Sequence, residues 1–132
     1  MGIKFSTIRT LSTRFVDFLV LLAVYMDANL AAAHYLEPKN RKVEEFLDLL
    51  NWRDAWHQAK EKPIKFPEFL AREYAKRMTS LGYIDQPLYN MKIIRNEEKN
   101  SPLYRLALFS RNQRAYGFWD EVLKYSTDPQ LF

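Results

Sequence analysis

Arginine and tryptophan are the side chains of this sequence best suited to hold a ligand. Arg105 lies inside an apolar stretch, and Arg111 and Arg114 follow just beyond it. A guanidinium presents a planar fork of donors that fits a phosphate or carboxylate, so the three together can make an anion site. They can equally pair with Asp120 and Glu121 on the surface. Trp52 and Trp56 stand four residues apart with Arg53 between them, a spacing that puts both rings on one helix face. Such a pair can stack nucleic-acid bases or fill a core. Asp17, at the start of a hydrophobic run, suits either a strand-end bond to backbone amides or a catalytic carboxylate.

The remaining chemistry is sparse. The two histidines, His34 and His57, fall in separate helical segments without a second ligand at metal-binding spacing. Glu44 and Glu45 are adjacent, point to different sides of a helix and read as solvated. With three glycines in all, no Gly-rich loop can cradle a phosphate or adenosine. There is no nucleophile elbow, P-loop or zinc-protease motif. The absence of cysteine removes disulfides, zinc–thiolate clusters and thiol catalysis, and fits a cytoplasmic protein.

The elements that must position these residues can be read from periodicity. Residues 6–15 make a short helix with Ile8, Leu11 and Phe15 on one side and Ser6 as its cap. The run Phe15–Val24 is apolar apart from Asp17 and does not alternate. It reads as a strand buried on both faces, the pattern of a parallel strand with helices above and below. A helical insertion follows over about 27–82: Asp27 caps a helix with Leu30, Ala31 and Tyr35, and Asn40 caps another with Val43, Phe46, Leu47 and Leu50. Pro67 opens a longer one with Leu70, Tyr74, Met78 and Leu81, which Gly82 ends. Pro87–Arg95 and Ser101–Ser110 form an antiparallel hairpin, and a last helix buries Ala115, Phe118, Trp119 and Val122. The 132 residues are thus one partial α/β domain: one parallel strand plus an antiparallel hairpin, packed by several helices.

Almost half the residues are hydrophobic, so a packed core is expected, and the net charge of +4 is spread without like-charge blocks. That charge permits a nucleic-acid partner, contacted through Arg105, Arg111, Arg114, Trp52 and Trp56, and makes a small basic binding module the alternative function. The apolar run at Phe15–Met26 is too short to span a membrane, and no membrane partner is expected.

Five stretches in order carry a resemblance: Ser6–Ser12 (STIRTLS), Val16–Leu22 (VDFLVLL), Tyr25–Leu30 (YMDANL), Phe46–Trp56 (FLDLLNWRDAW), and Pro102–Ser110 (PLYRLALFS) running into Phe118 and Trp119. With them the chain resembles the C-terminal part of the three-Cys-motif partner (TcmP) proteins, which have a Rossmann-like, class I methyltransferase-type fold. It departs from the family at Leu50–Asn51 and Ala115, where glycines are usual. The resemblance implies that the half supplying the Gly-rich turn and the ribose-binding acidic residue for S-adenosylmethionine is not in this sequence. No cofactor or catalytic residue is therefore assigned here, and the chain is expected to be a fragment without independent catalysis. It also implies a partner: the missing N-terminal half, another copy joined through the bare edge of Phe15–Val24, or a three-Cys-motif protein.

Overall fold

The computed structural model of the chain describes residues 3–25 and 32–126. Among these residues lie six α-helices and three strands: α1 (Phe5–Leu11), β1 (Phe18–Leu22), α2 (Ala32–Leu36), α3 (Lys42–Leu47), α4 (Trp52–Ala59), α5 (Phe66–Ser80), β2 (Lys92–Arg95), β3 (Pro102–Phe109) and α6 (Gln113–Ser126). The protein is therefore mixed α/β. The proposed cap at Asp27, with Leu30 and Ala31, falls outside the described residues.

The sheet has the order β1-β3-β2 and is antiparallel throughout. This corrects the expectation of a parallel strand. β1 pairs with β3 in the register Phe18↔Phe109 to Leu22↔Arg105, and β2 pairs with the other edge of β3. β1 and β2 do point the same way, because both oppose β3, but β3 lies between them and no parallel pair forms. The physical reason is in β3, whose eight residues are apolar on both faces and long enough to serve as the central strand. β2 has only four residues, and Lys92 and Arg95 bound it. Its expected first half, Leu88–Asn90, is a 3-10 turn instead.

Register divides the sheet into two faces. Phe18, Val20 and Leu22 lie opposite Phe109, Ala107 and Arg105 on the inner face, against the main core of α1, α3 and α5. There Phe5 meets Tyr74 edge-on at 5.6 Å, and Phe46 stacks on Tyr74 at 4.9 Å. Leu19 and Leu21 lie opposite Leu108 and Leu106 on the outer face. β1 was expected to be covered on both faces; Leu19 and Leu21 are instead 62% and 55% exposed. α6 buries Tyr116 and Trp119, whose indole donates to Asn90 O at 2.7 Å just before β2, so its contacts run toward β3 and β2. Its phase also differs from expectation, with Phe118 75% exposed and Val122 exposed.

The helix ends follow local chemistry. Pro67 sits in the first turn of α5, and Gly82 just past its end takes φ +96°, a conformation that excludes side-chain-bearing residues at low cost. Asn40 Oδ1 accepts from Lys42 N at 3.0 Å, which starts α3. α1 begins two residues earlier than a Ser6 cap implies, at Phe5 after Lys4, and ends at Leu11, so Ser6 lies inside the helix and Phe15 lies beyond it, fully exposed.

Candidate functional site

The five candidate contact residues do not converge on one exposed face. Trp52 is fully buried, and its ring lies 6.1 Å from Phe66. Trp56 is half-buried and packs edge-on against Phe66 at 5.0 Å and beside Phe69 at 5.2 Å. The four-residue spacing does place both rings on one face of α4, but that face meets α5 rather than solvent.

Arg105 projects from β3 into the inner side of the sheet and is buried. Its Nε donates to Tyr25 Oη at 2.8 Å and its Nη1 to Leu88 O at 3.2 Å, while Glu68 stands 3.9 Å from Nη2. Burial pushes the Tyr25 phenol up, against the pull of Arg105, so the hydroxyl stays protonated and neutral at physiological pH. This cluster is closed on itself and holds Arg105 away from an external anion.

Arg111 is exposed at its edge, yet its fork is occupied. Nη2 donates to Ser12 O at 2.9 Å and Leu81 O at 2.8 Å, Nη1 donates to Arg14 O at 3.3 Å, and the guanidinium lies 4.2 Å from the centre of the Tyr83 ring. These are carbonyls at the ends of α1 and α5, which leave acceptors without helical partners. A Cβ at Gly82 would stand 3.3 Å from Arg111 Nε, so the glycine also makes room for this clamp. Of the three arginines, Arg114 is the one open to solvent without an ion pair or side-chain bond of its own guanidinium described.

We expect Arg111→Ala to lower stability by about 1–2 kcal/mol, because charge-assisted bonds to three carbonyls are lost. Arg114→Ala should stay within about 0.5 kcal/mol of the parent. Urea unfolding followed by circular dichroism reads both. An unchanged midpoint for Arg111→Ala would return that guanidinium to the groups available for an external anion.

The polar centre that sequence reasoning missed is built on Arg53. It reaches from α4 to Leu36 O at 3.0 Å, Glu37 O at 2.9 Å and Asn40 O at 3.1 Å, pairs with the Glu44 carboxylate, and lies 4.8 Å from the Trp52 ring centre. Glu44, expected to be solvated, is buried. Burial favours its neutral form, but the bond from Arg53 and that of its own backbone N–H outweigh it and hold the carboxyl below its ordinary value. Arg77 does similar work from α5, donating to Leu47 O at 3.0 Å and Asp48 O at 3.1 Å, where Asp48 ends α3 with φ +50°. Nothing in the spacing of Glu44 and Arg53 announces a pair; only the turn between α3 and α4 brings them together.

The other residues singled out for chemistry stand apart. His34 and His57 are exposed on α2 and α4, and Asp17 is exposed one residue before β1. Among the described residues no group of three or more His, Asp or Glu side chains could hold a metal ion. Arg72 and Asp85 form a two-bond ion pair at 2.6 and 2.8 Å, and the Arg72 guanidinium holds the Asp85 carboxyl below its usual range. No helix among the described residues is long and apolar enough to cross a membrane.

Gly82 terminates α5 against Arg111, and Gly117 lies on an exposed flank of α6, so neither belongs to a strand–turn–helix loop. What the structure does present is a groove of about 370 Å³ beside β1, lined by Ile3, Ile8 and Leu11 on one side and by Leu19, Leu21 and Phe46. Phe18 and Val20 also line it, so side chains of both faces of β1 border the opening, and it runs along the strand's edge. Comparison of the chain with protein-family models, with curated proteins and with solved structures returns no match.

Proposed function

We propose that this chain is the carboxy-terminal, sheet-closing part of a TcmP-like protein with a Rossmann-like, methyltransferase-type fold, and that it has no catalysis of its own. The observation that carries the reading is the strand arrangement. Two co-directional strands, β1 and β2, are separated by a helical excursion, α2 to α5, of the length that crossovers need. An antiparallel last strand fills the space between them, as antiparallel strands do near the edge of otherwise parallel sheets. The ordered sequence motifs support the same reading, and a cysteine-free chain suits a cytoplasmic protein. In support of it, Arg53, Arg105 and Arg111 each donate to backbone carbonyls of neighbouring elements.

The test is titration calorimetry of the purified chain with S-adenosylmethionine, paired with anisotropy of a labelled single-stranded oligonucleotide at two salt concentrations. We expect no saturable heat at millimolar cofactor and no salt-sensitive binding of the oligonucleotide. Saturable micromolar binding of the cofactor would overturn the non-catalytic reading. Oligonucleotide binding that weakens steeply with salt would replace it with the basic binding module.

A further inference from the structure

The two outer edges of the sheet are built differently. The β2 edge is four residues long, carries Lys92 and Arg95, and has an irregular register between Ile94 and Arg95. Short length, charge and irregularity are the features that keep an edge from pairing with another chain. The β1 edge, Phe-Leu-Val-Leu-Leu, has no charge, no proline and no register shift. Among the described residues, five of the ten exposed large apolar side chains also fall within residues 3–21: Ile3, Leu11, Phe15, Leu19 and Leu21. Phe15, just before the strand, is wholly exposed at 102%. Apolar exposure concentrated along an unprotected strand edge marks an interaction surface.

We propose that this edge pairs antiparallel with β1 of a second copy of the chain, giving one continuous six-stranded sheet across a two-fold axis at Val20. The inference stands on the bare edge alone and not on the family likeness. Self-complementarity argues for the second copy. About an axis at Val20, Leu19 lies opposite the second copy's Leu21, Phe18 lies opposite its Leu22, and the outer-face leucines of both copies form one row. The charge pattern sets the direction. In the antiparallel arrangement Asp17 lies opposite Ala23, and the two Asp17 carboxylates stand about 20 Å apart along the strands. A parallel in-register pair would stack them side by side. The contact would bury the exposed side chains of Leu19 and Leu21 together with the backbone edge of the strand.

Light scattering after size exclusion, on the native chain between low and high micromolar concentration, reads the state directly. We expect twice the chain mass of 15.8 kDa. Leu19→Lys and Leu21→Lys place like charges on the shared row; both positions are exposed in the single chain, so circular dichroism should stay unchanged while the dimer dissociation constant rises at least tenfold. Because the chain has no cysteine, Val20→Cys introduces a single thiol, and antiparallel partners at the axis come within disulfide reach. Mild oxidation should link Val20→Cys chains into covalent dimers in high yield. A monomer at every concentration would overturn the proposal, as would a dimer that survives both lysine variants. A cofactor-binding monomer would overturn the functional reading as well, whereas a cofactor-free monomer would sink only the pairing and leave the edge to a different strand.

Discussion

Arg53→Ala is expected to lower the stability of the chain by about 3–5 kcal/mol, because removing one member of a buried ion pair leaves the other charged and unpaired. Arg53 both pairs with the buried Glu44 carboxylate and donates to Leu36 O, Glu37 O and Asn40 O, which ties α4 to the end of α2 and to the turn before α3. Arg53→Lys should fall almost as far, since an ammonium cannot reproduce a fork that reaches four acceptors. Replacing both partners, as Arg53→Met with Glu44→Met, should recover a large part of the loss by removing the orphaned charge. Urea unfolding of the single and double variants checks the cycle.

The same pair gives a pH dependence whose sign can be worked out. In the native chain the Glu44 carboxyl titrates below its ordinary value of 4.5, so its contribution to stability is complete above that value and is lost as the pH falls through the depressed one. Without Arg53, burial, the largest single influence on the carboxyl, loses its main opponent and the carboxyl moves up from its native position. The stabilising contribution then shrinks, and Arg53→Ala should lose less stability than the native chain as the pH falls through the depressed value. Parallel pH profiles would exclude Glu44 as the group left unpaired.

The sequence made the helical stripes legible because each rests on local period. Val43, Phe46 and Leu47 on α3, and Leu70, Tyr74 and Met78 on α5, are buried as the 3.6-residue repeat requires, whereas Leu50, expected on the same stripe as Val43, lies past the end of α3 and is exposed. β3 was legible too, down to Arg105 sharing a face with Ala107 and Phe109. The direction of β1 was not, since an apolar run without alternation fits either orientation and its partner lies over eighty residues away. The phase of α6 escaped because Phe118 and Trp119 are adjacent aromatics, and the choice between them is made by the Trp119 bond to Asn90 O. The candidate site was least legible of all. Guanidinium groups that fasten distant carbonyls look, in sequence, the same as guanidinium groups that wait for a phosphate. What tells them apart is which helix ends lie within reach.

Trp52→Ala is the second change expected to be severe, at about 3–5 kcal/mol, the usual cost of truncating a fully buried aromatic side chain. Small domains have total stabilities of about 5–15 kcal/mol, so much of the chain should lose cooperative unfolding near room temperature. A base-stacking role predicts the opposite pattern: an intact fold, an unchanged melting temperature and lost nucleic-acid binding. The thermal melt alone separates the two. The Trp52 ring also supports the Arg53 guanidinium at 4.8 Å, and Arg53 in turn pairs with the Glu44 carboxylate. Trp52→Ala and Arg53→Ala therefore remove supports of the same buried charge, and the double variant should lose clearly less than the sum of the two. Losses that add would mean that the tryptophan stabilises the α4–α5 contact alone, with the Glu44–Arg53 pair standing independently beside it.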